Sequence, residues 1–131
     1  MITHINPDGM YHSPVFSQAV LLDGPGRLLV VGGQNGVDES GAVVADDVAG
    51  QTAKALENLL TVLAEVGADQ RDVAKLTIYM VAGQEIGPAY GAAQAVWGEH
   101  PTAISMLQVA GLGSPDFLVE IEALAYLQEE P

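Results

Sequence analysis

The last third of the chain carries two glutamates whose spacing permits acid–base chemistry. Glu120 and Glu122 stand in Leu118-Val119-Glu120-Ile121-Glu122-Ala123-Leu124, a stretch whose aliphatic residues are typical of a strand. Alternate residues of a strand share a face, so we expect the two carboxylates about 7 Å apart on one side. Carboxyl groups held that close in a partly dry cleft can hold or deliver a proton near neutral pH. Two solvated glutamates on an outward face have the same spacing, so both interpretations stay open.

Other residues capable of chemistry occur without a recognised arrangement. The segment Gly32-Gly33-Gln34-Asn35-Gly36 follows a strand pattern but lacks the Lys-Ser/Thr of a phosphate-binding loop. We expect it to form a bend where the backbone approaches a ligand or another chain. His4 and His12 have a spacing that matches no metal-ligand pattern, and His100 is interpreted as a helix-end residue. The sequence therefore predicts neither a metal nor another cofactor.

The charge and composition of the chain argue against several classes of function. Its 131 residues include 17 acidic side chains, 4 strongly basic ones and no cysteine, for a formal net charge of −13. A phosphate backbone is bound by clustered cations, whereas these four are scattered, so neither nucleic acid nor a membrane is an expected partner. The absence of cysteine excludes disulfides and thiolate sites. With no apolar run near the ~20 residues of a membrane helix and no secretory signal, a cytoplasmic protein is predicted.

The hydrophobic pattern predicts one α+β domain spanning residues 1–131, with residues 1–15 as an irregular lead-in. A first helix starts at Asp46 or Asp47, buries an apolar stripe and ends at Gly67. A second helix covers Ile86 to Gly98. Its predicted buried stripe consists of Ile86, Tyr90, Ala93 and Trp97. The predicted strands are Phe16–Leu22, Leu28–Val31, Val73–Val81, Ile104–Leu112 and Leu118–Leu127, which gives the order ββαβαββ.

The turn chemistry and the strand faces add two expectations about packing. Asp23-Gly24-Pro25-Gly26 favours a tight turn, so the first two strands are predicted to form a hairpin. Several strands are apolar on both faces, and two helices can cover only one face of a sheet. We infer a symmetric oligomer that buries the second face. Cover by the N-terminal segment is the alternative.

Five short motifs follow one another at the separations typical of one known family. They are Phe16-Ser17-Gln18-Ala19-Val20; Gly33-Gln34; Gln51-Thr52 with Ala55-Leu56-Glu57-Asn58-Leu59; Gly98-Glu99-His100-Pro101; and Val119-Glu120-Ile121-Glu122-Ala123. From about residue 16 to residue 126 the sequence thereby resembles the Rid family of reactive-intermediate deaminases, also called YjgF. The resemblance implies a chorismate-mutase-like ββαβαββ sandwich in a homotrimer, with the sheet faces packed in a central barrel and the helices outside.

The resemblance also implies an activity, and this sequence lacks one residue that the active members use for it. Active members hydrolyse enamines and imines to keto acids and ammonia in clefts between subunits, where an arginine binds the substrate carboxylate and a glutamate handles water. Glu120 matches that glutamate, and Gly33 matches a glycine lining the cleft. Ile104 stands where active members have the arginine. An isoleucine cannot replace a guanidinium fork, whose charge-assisted hydrogen bonds contribute on the order of 1.5–3 kcal/mol each.

Further departures make the predicted pocket apolar. Phe16 replaces a tyrosine, Met106 a frequent cysteine, and Tyr90 falls near an asparagine that approaches the ligand. The predicted substrate-binding residues are Phe16, Ser17, Gly33, Gln34, Tyr90, Ile104 and Met106.

These departures lead to three hypotheses about function. The first is a homotrimer that binds a small, largely apolar molecule, with Glu120 handling a proton or water if an imine-like compound is hydrolysed or tautomerised. A binding or regulatory trimer without catalysis is the second. The third is a conventional 2-iminobutanoate/2-iminopropanoate deaminase that recruits another cation.

Overall fold

The computed structural model describes residues 1–129 and has the predicted order of helices and strands, with one strand added at the N-terminus. The elements are β1 (Ile2–Ile5), β2 (Ala19–Leu22), β3 (Gly26–Gln34), α1 (Val48–Glu65), β4 (Val73–Val81), α2 (Ile86–Trp97), β5 (Ala103–Val109) and β6 (Val119–Gln128). A four-stranded sheet has the order β3-β6-β4-β5, with β4 and β5 parallel and β6 antiparallel to both of its neighbours. Aliphatic side chains of α1 and α2 share one buried cluster with one face of this sheet. The α+β fold class is confirmed.

The first helix agrees with its prediction. The Asp47 side chain accepts a hydrogen bond from the backbone N–H of Gly50 at 2.8 Å, and Gly67 follows the helix with a φ of +76°. Glycine adopts that left-handed conformation without steric cost. The buried residues of the apolar stripe are Thr52, Leu56, Leu59 and Leu63, whereas Val66 at the end is exposed.

The second helix has the predicted position, but its predicted buried stripe is partly wrong. Ala89 and Trp97 are buried, whereas Ile86 is 42% exposed and Tyr90 is 51% exposed. Ile86 lies in the first turn, at the end of the helix. Tyr90 remains half exposed because a cavity, rather than packed side chains, separates its part of α2 from the sheet.

The N-terminal strands differ from the prediction. Residues 2–5 of the predicted irregular lead-in form β1, which pairs antiparallel with β2 in a separate two-stranded sheet. The predicted hairpin between β2 and β3 is wrong because β2 pairs with β1, while β3 pairs with β6. The turn is present, with Gly24 at a φ of +86°, but it leads from one sheet to the other. The β2 strand starts at Ala19 rather than Phe16, since the backbone N–H of Ser17 donates to the Thr102 carbonyl instead.

The face of the four-stranded sheet opposite the helices is open in the single chain. Four aliphatic side chains of this face are exposed by 39–69%: Leu28, Val30, Leu107 and Leu124. We call this surface the open face. The N-terminal segment does not cover these side chains, so the cover that the sequence offered as an alternative is absent from the described residues. No helix within residues 1–129 has the length and hydropathy needed to cross a bilayer.

Candidate functional site

A cavity of about 360 Å³ lies between α2 and the β4–β5 part of the sheet. β5 contributes Ile104 and Met106, α2 contributes Tyr90 and Trp97, and the N-terminal segment contributes Phe16. A volume of this size is within the range of pockets for small molecules. Four predicted binding residues that are far apart in sequence therefore share one cavity.

Strand alternation explains why β5 presents these two side chains to the cavity. Ile104 pairs with Leu76 and Met106 with Ile78, all four on the face that carries the helices. The walls are mainly aliphatic and aromatic. Gln94 and His100 are polar residues of the wall, and it contains neither a lysine nor an arginine. The position that corresponds to the family arginine thus contributes an apolar side chain to an apolar wall.

Three contacts position Phe16, the aromatic residue that the N-terminal segment contributes to the cavity wall. The Phe16 ring stacks on Tyr11, with the ring centroids 6.1 Å apart. The Ser17 N–H donates to the Thr102 carbonyl at 3.1 Å, and the Gln18 N–H donates to Asn6 Oδ1 at 3.0 Å. Ser17 is buried but is not part of the cavity wall. These contacts hold Phe16 beside the start of β5.

Glu120 lies on the open face, on the opposite side of the sheet from the cavity. Its neighbours Val119 and Ile121 are fully buried in the core, so strand alternation directs Glu120 away from the helices. Asn35 Nδ2 donates to Glu120 Oε1 at 3.1 Å and to the Val119 carbonyl at 3.2 Å. Gly33 lies directly against the same carboxylate, since a Cβ atom at position 33 would overlap Glu120 Oε2.

Glu122 lies on the same face as Glu120, as the spacing predicted, but has a different partner. Tyr79 Oη donates to Glu122 Oε1 at 2.6 Å. This hydrogen bond to a carboxylate raises the pKa of Tyr79 above its ordinary value, with smaller contributions from desolvation and from the charges of both glutamates. On the same strand as Tyr79, Lys75 Nζ donates to Ser105 Oγ of β5 at 2.7 Å. The open face thus has a polar centre between its aliphatic side chains.

The predicted site residues form two groups in one chain. Phe16, Tyr90, Ile104 and Met106 line the cavity. Gly33 lies beside Glu120 on the open face, and Gln34 is in the same segment, with its Nε2 donating to the Gly32 carbonyl. Ser17 belongs to neither group, because its side chain is buried outside both.

Sequence reasoning missed several residues of these groups, among them Asn35, Trp97 and His100. Asn35 follows directly on Gly33-Gln34, and its amide is the kind of side chain that orients a carboxylate. Trp97 and His100 were interpreted as a core residue and a helix-end residue, and both also line the cavity. Their places in the chain gave no signal of this, because the cavity forms only when β5 packs beside α2.

The histidine and acidic side chains of the described residues are spread over the chain. Across residues 1–129, no three His, Asp or Glu side chains lie close enough together to hold an ion. His12 Nε2 lies 3.1 Å from the Pro7 carbonyl, and His4 is exposed on β1.

Comparisons with known proteins agree with this architecture. Residues 10–127 match the family model described as Endoribonuclease L-PSP. A RutC family protein from Pyrococcus abyssi is 33% identical over 85% of each chain. A rat 2-iminobutanoate/2-iminopropanoate deaminase is 34% identical over 84% of this chain and 78% of its own. A crystal structure from Yersinia pestis, a protein of unknown function of the conserved Rid family, has 38% identity and a TM-score of 0.84 over 96% of this chain and 98% of its own. The chain therefore belongs to the Rid, or YjgF, family, whose model carries the description Endoribonuclease L-PSP.

Proposed function

We propose that this protein is a homotrimer that binds a small, largely apolar molecule where the cavity of one subunit meets the open face of the next. The observation that carries the proposal is the apolar cavity with Ile104 in its wall. Within one chain, Glu120 and this cavity lie on opposite faces of one sheet. A symmetric oligomer can bring different faces of identical chains together, so the Glu120 of a second subunit can complete the site.

The cavity wall determines the class of ligand. A carboxylate inside it would have no guanidinium or ammonium partner, only the imidazole of His100 among mostly aliphatic and aromatic side chains, and a poorly paired buried charge is unfavourable. The net charge of −13 also repels anions, most strongly at low salt. We therefore expect a neutral or cationic organic molecule.

Glu120 is suited to handling water or a proton next to such a ligand. Asn35 Nδ2 fixes one carboxylate oxygen, which leaves Oε2 beside Gly33 for a water molecule. In imine hydrolysis, water adds to the C=N carbon and gives a proton to Glu120. Glu120 returns this proton to the nitrogen, which gives a carbinolamine. Glu120 then takes the hydroxyl proton of the carbinolamine and delivers it to the nitrogen, the C=O bond forms as the C–N bond breaks, and an amine and a carbonyl compound leave.

The third hypothesis, a conventional deaminase as the rat relative is named, is supported by the position of Lys75. Lys75 and Glu122 line a hollow of about 200 Å³ on the open face, so Lys75 lies on the same side as the glutamates. Arg71 is already paired with Asp69 at 2.6 Å. An ammonium group could bind a substrate carboxylate there, although as a point charge rather than a bidentate fork.

Ribonuclease activity, which the family model's description names, has less support. Nucleic-acid binding gains most of its affinity from phosphate contacts to clustered cations. This chain has 4 strong bases against 17 acids.

Two imines of different charge test the proposal. One is a 2-imino acid released by an amino-acid dehydratase, and the other is neutral N-benzylidenemethylamine. We expect the protein to accelerate hydrolysis of the neutral imine only, and Glu120→Gln to remove that acceleration. Ile104→Arg should add tenfold or more to hydrolysis of the 2-imino acid, whereas Ile104→Leu, the uncharged control, should not.

Other outcomes would contradict the proposal in identifiable ways. If the unmodified protein hydrolyses the 2-imino acid and Lys75→Met abolishes this, the protein is a conventional deaminase. If it binds the neutral imine without hydrolysing it, the non-catalytic trimer is correct.

A further inference from the structure

The segment that follows β3 is attached to α1 through the side chain of Asn58. Asn58 Nδ2 donates to the carbonyl oxygen of Asn35 at 3.1 Å and to that of Val37 at 2.9 Å. Gly36, between them, packs so closely on α1 that a Cβ atom there would lie 2.6 Å from the Cα of Gln51. One side-chain amide and one close backbone approach therefore hold this segment against the helix.

The same segment carries the side chain that orients Glu120. Asn35 Nδ2 donates to Glu120 Oε1 at 3.1 Å and to the Val119 carbonyl at 3.2 Å. The ladder between β3 and β6 ends with the pair Gln34 and Ile121, so Asn35 lies one residue past it. An asparagine amide nitrogen has two N–H groups, and in both asparagines two acceptors lie within hydrogen-bond distance of it. These acceptors determine which way each amide faces.

We propose that Asn58 is a positioning residue for Glu120 and that it acts through Asn35. This inference rests on the proposed function, in which Glu120 handles water or a proton. Asn58 holds the Asn35 backbone against α1, and the Asn35 amide holds one oxygen of the Glu120 carboxylate. Groups that take part in a reaction must be held within about 0.5 Å of the productive geometry, and side chains on helices or strands are held more precisely than those on loops. Asn58 links the loop residue Asn35 to such an element.

A double-variant experiment separates this role from a purely structural one. The substrate is N-benzylidenemethylamine, and the variants are Asn58→Ala, Asn35→Ala and the two combined. We expect each single variant to lower kcat roughly five- to tenfold, which corresponds to the loss of about one hydrogen bond. KM should change less than about twofold, because neither asparagine lines the cavity that holds the ligand. The combined variant should be no slower than Asn35→Ala, since Asn58 acts only through Asn35.

The matched control is Thr61→Ala, one turn further along α1. Thr61 Oγ1 donates to the Glu57 carbonyl at 3.0 Å, so this variant removes a side-chain hydrogen bond whose acceptor belongs to α1 itself. It should leave kcat unchanged. Circular dichroism checks the fold of every variant. Should Asn58→Ala fail to fold, Asn58→Ser, whose hydroxyl can donate one hydrogen bond, should give a smaller loss of kcat in its place.

NMR tests the link between Asn58 and Glu120 without relying on activity. The side-chain amide signals of Asn35 are identified by their loss in Asn35→Ala. We expect Asn58→Ala to move them upfield, because the hydrogen bond to Glu120 weakens, and Thr61→Ala to leave them in place. Unchanged Asn35 signals in Asn58→Ala, or losses of kcat that multiply in the combined variant, would overturn the positioning role. Shifted signals in a protein that hydrolyses no imine would overturn the proposed function, whereas the link from Asn58 to the carboxylate would stand.

Discussion

Gly33 determines how closely the β3 backbone approaches the Glu120 carboxylate. The register of β3 against β6 shifts between Val31 and Gln34, and this irregularity contains Gly33. A Cβ atom there would overlap Glu120 Oε2 and lie within 2.8 Å of its Cγ. A Cβ at Gly32, in the same irregularity, would meet no atom within 4 Å. The two adjacent glycines therefore offer a matched pair for testing the position of Glu120.

We predict that Gly33→Ala displaces the Glu120 carboxylate and breaks its hydrogen bond with Asn35. The glutamate side chain is flexible, so the fold should survive while neutral-imine hydrolysis falls about tenfold. NMR signals of the Asn35 side-chain amide report the displacement independently of activity. Gly32→Ala should leave both measurements unchanged. Equal behaviour of the two variants would show that Gly33 does not position Glu120.

Single residues of the site were predictable to different degrees. The two-residue period of a strand was enough to place Glu120 and Glu122 on one face, as the pairing with Tyr79 and Thr77 shows. The same period could not identify their hydrogen-bond partners, because Asn35 follows the end of β3 and Tyr79 lies on β4. Strand alternation alone determines that the two glutamates share a face, whereas their hydrogen-bond partners depend on how the other segments are arranged around β6.

At the scale of elements, the start of α1 depends on one of two adjacent aspartates. The sequence could not choose between Asp46 and Asp47, since both residues can cap a helix. Only the Asp47 carboxylate accepts the Gly50 N–H, at 2.8 Å. Asp46 is exposed and takes no part in this cap.

We predict that Asp47→Ala lowers the free energy of unfolding by about 1 kcal/mol, because it removes the acceptor for an otherwise unpaired N–H. Asp46→Ala, which removes the same charge one residue away, should change it by less than about 0.5 kcal/mol. Urea denaturation followed by circular dichroism measures both. A larger loss from Asp46→Ala would mean that the cap has been assigned to the wrong residue.

Helices and long strands were predictable because their signals are local, whereas strand partners were not. The stripe of Leu56, Leu59 and Leu63 identifies α1 without any tertiary information. The turn around Gly24 indicates where the chain bends, but not that β2 pairs with β1. β1 has only four residues and is too short to show alternation, so the sequence did not reveal it. The strand that pairs with it, β2, was therefore predicted to pair with β3 instead.

At the scale of the whole molecule, the open face is the apolar surface that a single chain leaves uncovered. Its exposed aliphatic side chains surround a polar centre with Glu120, Glu122 and Lys75. Burying apolar surface provides the main favourable free energy of association. The proposed trimer would therefore use the aliphatic side chains for assembly and the glutamates for chemistry, which couples activity to oligomeric state.

We predict that Val30→Glu converts the proposed trimer to monomers. Val30 is 69% exposed in the single chain and pairs with Leu124, so a glutamate there would place a charge among the aliphatic side chains of the proposed interface. Val66→Glu is the matched control, because Val66 is also exposed but lies at the end of α1, away from the open face. Light scattering coupled to size-exclusion chromatography should show a trimer for the unmodified protein and for Val66→Glu. The monomeric Val30→Glu should lose imine hydrolysis, since Glu120 and the cavity then belong to separate molecules. A monomer that keeps full activity would show that one chain contains a complete site, and the inter-subunit mechanism would be wrong.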